Sequence, residues 1–165
     1  MSDLERAVKA VIEDCLAVKP GEDVVVVCNP ATQNLAERLR DGAEAVGAEA
    51  VLAVMAERDQ HGTEPPDSIA AAMLTADVLL VPTVQSLSHT AARKAATDAG
   101  ARAATLPGAT EDMLARVMSA DMAELLRRFN YLLRCDRFWH CVPFGLSFGT
   151  RREPHLSAQP SRGWS

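Results

Sequence analysis

The stretch "KPGEDVVVVC", residues 19–28, decides the fold. Its first half stops a helix, because Pro20 has no N–H to continue a helical ladder. Its second half runs four valines into a cysteine with no polar residue between them. β-Branched side chains are stiff at χ1 and fit a pleated surface, so residues 24–28 read as a strand. A strand with one wet face would alternate polar and apolar residues; a continuous apolar run predicts burial on both faces. Burial on both faces calls for a parallel sheet with helices on each side.

The flanks agree with that demand. Upstream, Leu4, Val8, Val11, Ile12 and Cys15 recur at intervals of three and four, which predicts a helix over residues 3–18 capped by Ser2 or Asp3. Downstream, "ATQNLAERLRDGAEAVG" (31–47) is an alanine-rich amphipathic helix, and Gly47 can take the left-handed position that ends it. "AEAVLAVMA" (48–56) predicts a second strand. "PPDSIAAAMLTA" (65–76) predicts a helix opened by proline, and "DVLLVPT" (77–83) a third strand. "LSHTAARKAATDAG" (87–100) is another helix ending on glycine, "ARAATLPG" (101–108) a fourth strand, and "TEDMLARVMS" (110–119) a helix capped by Thr110. Alternating helices and strands with short links favour an open, mostly parallel sheet wound on both faces. The fold class is therefore α/β, a Rossmann-like sheet of about four strands.

Length and charge narrow the function. The 165 residues suffice for one domain and fall short of two ordinary ones. A net charge of −5 gives no basic footprint for nucleic acid or an anionic membrane. The N-terminus has early acids and no long apolar run, and no stretch reaches the roughly 18–20 apolar residues of a membrane span, so a soluble, cytoplasmic protein is expected. Cys15, Cys28, Cys135 and Cys141 contain no CxxC pair and read as buried or incidental thiols.

Composition changes near residue 129. Residues 1–128 carry 12 Lys plus Arg against 20 Asp plus Glu, with 27 alanines and no aromatic residue. Residues 129–165 carry five Arg, no Lys, two acids, one alanine and all seven aromatics. The tail shows no sustained period of two or 3.6. The expected organisation is an α/β domain over residues 1–128 and an irregular tail over 129–165, read as an out-of-frame extension. An aromatic-rich docking segment is the rival reading.

Catalytic signatures are sparse. GxGxxG, the P-loop, GxSxG and HExxH are absent, and the first strand leads into "NPATQN" instead of a glycine-rich turn, so the fold does not imply a dinucleotide. His61 and Glu64 stand three apart in the polar loop "ERDQHGTEPP"; they suit either a shared metal or a hydrogen-bonded turn. "PTVQSLSHTAARKA" follows the third strand, where ligands gather in open α/β sheets. There Ser88 is a candidate N-cap. His89 and Arg93, four apart on one helix face, are candidates for holding a carboxylate, although capping with surface packing explains the same residues without any ligand and is the favoured account.

Three stretches carry a family resemblance: "EPPDSIAAAML", "VPTVQSLSHTAARKAATDAGARAATLPGATEDMLAR" and "VMSADMAEL", preceded by "VIEDCLAVKPGEDVVVV". Together they resemble the N-terminal domain of the thermophilic-type metallo-aminopeptidases, the leucyl aminopeptidase or aminopeptidase T family, over residues 1 to about 128. The resemblance implies removal of N-terminal amino acids from peptides by water activated on two divalent metal ions of the zinc or cobalt class. It also implies homodimers. The metal ligands belong to a C-terminal domain with no counterpart after residue 128, so no catalytic residue, metal ligand or cofactor is expected in this chain, which reads as a truncated member inactive alone. Position by position the resemblance gives His89, Thr90 and Arg93 as substrate-cleft candidates and Leu106, Pro107 and Gly108 as a turn; His140 and His155 match nothing. A related iron-dependent ring-opening dioxygenase, or a free dimerisation or binding module, are the alternatives.

Overall fold

A computed structural model describes residues 1–118. The expectations placed on residues 129–165, including Cys135, Cys141, His140 and His155, lie outside the described residues. Within them the order is α1 (Asp3–Lys9), a π-helical turn (Ala10–Cys15), β1 (Asp23–Cys28), a 3-10 turn (Pro30–Thr32), α2 (Gln33–Ala45), β2 (Glu49–Val54), α3 (Asp67–Thr75), β3 (Val78–Val81), α4 (Ala91–Ala99), β4 (Arg102–Thr105) and α5 (Glu111–Val117). The four strands form one sheet in the order β2-β1-β3-β4, and every pairing is parallel. The α/β class read from the sequence is the observed one.

The valine run does what its composition demands. Val24, Val26 and Cys28 enter one core with Val78 and Leu80, covered by α1, α2 and Leu114 of α5. Val25 and Val27 enter the opposite core with Leu79 and Val81, covered by Met73 of α3 and Ala96 of α4. Each fully buried valine or leucine contributes about 1.5–3 kcal/mol relative to an exposed one. Successive residues of β1 therefore hold both layers to the sheet. Burial and the nearby Glu37 charge push the Cys28 thiol up, which makes it an inert core side chain.

Local signals set most element ends. Ser2 caps α1 in a full capping box with Glu5. Gly47 and Gly100 take positive φ where α2 and α4 stop. The first helix departs from expectation: it is α-helical only to Lys9 and then widens, with the Leu16 N–H reaching the Val11 carbonyl at 3.0 Å. An α-helix running straight on from Val8 would turn Cys15 toward the sheet. The widened turn brings Leu16 there instead, 3% exposed, and leaves Cys15 half-buried. At the amino end of the sheet, Arg102 of β4 donates from Nε to the Leu16 carbonyl at 2.8 Å and pairs with Glu22. Burial alone would raise the Glu22 carboxyl, but hydrogen bonds from Arg102 and the Lys19 N–H outweigh it and hold the group below its ordinary range.

Candidate functional site

Strand order fixes where a ligand would sit. The chain passes from β1 to β2 on one side and then crosses back over β1 to β3 on the other, so the crevice beyond the carboxyl ends of β1 and β3 is the switch point at which open α/β sheets bind ligands. Asn29, the residue after β1, lies at it. Its side chain is 1% exposed; Nδ2 donates to the Met55 carbonyl at 3.1 Å, and Oδ1 accepts the Val84 N–H at 2.9 Å. One amide thus joins the loops after β1, β2 and β3. Thr32 adds to this brace, accepting the Asn29 N–H at 3.2 Å and donating to the Pro82 carbonyl. These two residues were not singled out in the sequence, where "NPATQN" registered only as a turn without glycine.

Around this brace, side chains tie neighbouring loops together. His61 is exposed and its Nδ1 accepts the Ser86 N–H at 2.8 Å, while the Gly62 N–H donates to the Ser86 carbonyl at 2.8 Å. This reciprocal pair fastens the loop after β2 to the loop after β3. Glu64 reaches further along the same seam: its two carboxylate oxygens accept the Ala91 and Ala92 N–H groups at 2.5 and 3.2 Å, at the start of α4. The positive end of that helix already holds a carboxylate from its own chain. His61 and Glu64 therefore lie at one loop junction, with their recorded bonds made to backbone.

The residues of the "SHTAARKA" stretch take separate tasks. Ser88 does not cap α4. Thr90 does, accepting the Arg93 N–H at 3.2 Å and donating to the Leu87 carbonyl at 2.8 Å. The Ser88 hydroxyl is engaged with Ser86 at 2.9 Å and Thr105 at 2.8 Å, so it is not available to the helix. Arg93 is half-buried and its Nε donates to the Ser88 carbonyl at 2.9 Å. His89 is exposed in the turn just before the cap, outside the helix whose first turn carries Arg93, so the two do not share a helix face as the spacing had suggested. The Leu106-Pro107-Gly108 turn docks on the same region through the Gly108 N–H, which donates to the Thr83 carbonyl at 2.9 Å.

Among the described residues no group of three or more His, Cys, Asp or Glu side chains is placed to hold a metal ion. His61 and Glu64, the candidates with ligand chemistry, direct Nδ1, Oε1 and Oε2 to backbone N–H groups. The described residues do not fit a metal centre. A groove of about 440 Å³ lies elsewhere, between α1 and α2 over Leu4, Val8, Gly42 and Val46, and includes none of the sequence candidates. No helix among the described residues is long and apolar enough to cross a membrane.

No family model and no curated protein sequence matches the chain. Among solved structures it is similar to the 2,5-dihydroxypyridine dioxygenase from Pseudomonas putida KT2440, with a TM-score of 0.59 and 13% identity over 72% of this chain and 38% of that one. It is also similar to wild-type AmpT from Thermus thermophilus, with a TM-score of 0.44 and 15% identity over 70% of this chain and 41% of that one. The chain thus spans well under half the length of either protein. The first likeness supports the wound α/β fold; the second is too low to bear on it.

Proposed function

We propose that this chain is the N-terminal module of a metallo-aminopeptidase-like enzyme, a scaffold that frames a substrate cavity and supplies no metal ligand. The observation that carries the reading is the braced switch point: the buried Asn29 amide spends its donor and its acceptor on the backbone of the Met55 and Val84 loops, at the end of the sheet where wound sheets take ligands. The two stretches that most resemble the peptidase family support it by their position. "SHTAARKAA" and "GARAATLPG" meet through Ser88 and Thr105, and the turn ending the second docks on the loop leading to the first. In this reading His89 and Arg93 face the cavity from the start of α4, and Glu64 and Thr90 hold that helix end in place.

Two zinc or cobalt ions activating water are the chemistry of the family, and the partner domain would supply their ligands. The full chain incubated with leucine p-nitroanilide and zinc or cobalt is therefore expected to give no turnover above a metal-only blank. Sustained hydrolysis above that blank contradicts the scaffold reading. The second reading, the corresponding module of an iron-dependent ring-opening dioxygenase, draws on fold likeness to the Pseudomonas enzyme. Oxygen uptake with ferrous iron and 2,5-dihydroxypyridine tests it, and the chain alone is expected to be silent there too.

A further inference from the structure

Two loops at the carboxyl end of the sheet are pinned to each other by a group that can take up a proton. Gly62 adopts a φ of +81°, and at this turn the loop after β2 meets Ser86 of the loop after β3. His61 Nδ1 accepts the Ser86 N–H at 2.8 Å, and the Gly62 N–H donates to the Ser86 carbonyl at 2.8 Å. A backbone N–H can only donate, so Nδ1 is unprotonated in this pair. Glu64 fixes the same loop further along, on the Ala91 and Ala92 N–H groups, with Pro65 and Pro66 following it. The His61 contact therefore governs the tip of the loop and Glu64 its base.

Neutral imidazole has one nitrogen that donates and one that accepts, whereas both nitrogens of imidazolium donate. Protonation thus sets donor against donor at Ser86, and no rotation of the ring restores an acceptor. Histidine is the side chain that ordinarily makes this change between about pH 5 and 8. The surroundings offer the imidazolium no compensating partner. On its own loop the charged groups are Glu57, Arg58, Asp59 and Glu64, and Asp67 opens α3. The facing segment 82–90 contributes only His89, and Arg93 is the first charge of α4; the loops after β1 and β4 carry none over residues 29–32 and 106–110. Among the described residues no carboxylate lies within ion-pair distance of His61.

We propose that His61 is a proton-sensitive latch: with neutral imidazole it holds the loop after β2 on the loop after β3, and on protonation it releases the loop tip. The closed state belongs to higher pH and the open state to lower pH. Asn29 and Thr32 join the loops after β1, β2 and β3 without a titrating group, so the end of the sheet keeps its brace while the tip lets go. Opening frees the Ser86 N–H and carbonyl, in the segment that leads to the exposed His89. The latch is built from this chain's own contacts, so it stands apart from the aminopeptidase reading.

Amide hydrogen exchange of the full chain between about pH 8 and 5 tests it, with rates corrected for their intrinsic pH dependence and the His61 ring protons followed in the same samples. One net hydrogen bond corresponds to roughly a fivefold change in an opening equilibrium, so protection of Ser86 and Gly62 is expected to fall about fivefold as the ring titrates. Val84, held by Asn29, and Ala91 and Ala92, held by Glu64, are expected to keep theirs. His61→Asn leaves a side-chain acceptor that takes up no proton, and should hold Ser86 and Gly62 protected throughout. His61→Ala should leave both amides poorly protected at either end of the range. A wild type whose Ser86 and Gly62 protection stays level while the ring titrates, or whose ring does not titrate in that range, overturns the proposal. So does a His61→Asn chain that loses protection as wild type does, or a His61→Ala chain that retains it.

Discussion

Asn29 concentrates the account at the scale of one residue. Replacing it with alanine removes the acceptor of the Val84 N–H and the donor to the Met55 carbonyl, both at the buried junction of three loops. Leaving a buried polar group unmet costs about 1–3 kcal/mol, so Asn29→Ala is expected to lower stability by about 2–3 kcal/mol. Urea unfolding reads this as a lower midpoint at unchanged slope. The sequence did not expose Asn29, because its partners lie 26 and 55 residues away and nothing in "NPATQN" names them. Glu64 is the same case: helix caps are read from adjacent residues, and this one arrives across 27. The sequence reading gave the cap to Ser88, and that Thr90 takes it instead depends on Ser86 and Thr105 engaging the serine.

Helices and strands were the legible scale, because hydrophobic period and end signals are local. The Val24–Cys28 run, the glycines closing α2 and α4, and the Thr110 cap all stand where the sequence put them. The π-helical turn was hidden, since it answers to the sheet beneath it and not to its own residues. Helix-to-helix packing was hidden as well. Gly42 of α2 lies so close to α1 that an added Cβ would stand 2.5 Å from Val8 Cγ1. Alanine gains about 1 kcal/mol of helix propensity over glycine, but valine is locked at χ1 and an overpacked contact costs about 1–3 kcal/mol. Gly42→Ala is therefore expected to be destabilising by about 1 kcal/mol. Val8→Ala removes a buried core side chain and is itself destabilising, but it should cost less in the Gly42→Ala chain than in wild type, and a double-mutant cycle in urea should show that coupling.

At the scale of the whole molecule, a chain that winds helices on both faces of a parallel sheet offers its ligand end to whatever fills the switch point. Here its own side chains already engage backbone donors at that end: Asn29 holds the Val84 N–H, His61 the Ser86 N–H, and Glu64 the Ala91 and Ala92 N–H groups. The class of fold was legible because a double-faced valine run admits few architectures. The bracing of the loops beyond the sheet was not, because it is made of contacts between segments far apart in sequence. The direct test follows the amide resonances of Val84, Ser86, Ala91 and Ala92 in the full chain while zinc and a leucine-containing dipeptide are added. The account expects all four to stay in place through the titration. Saturable shifts confined to those amides would show that the carboxyl end of the sheet takes a ligand after all.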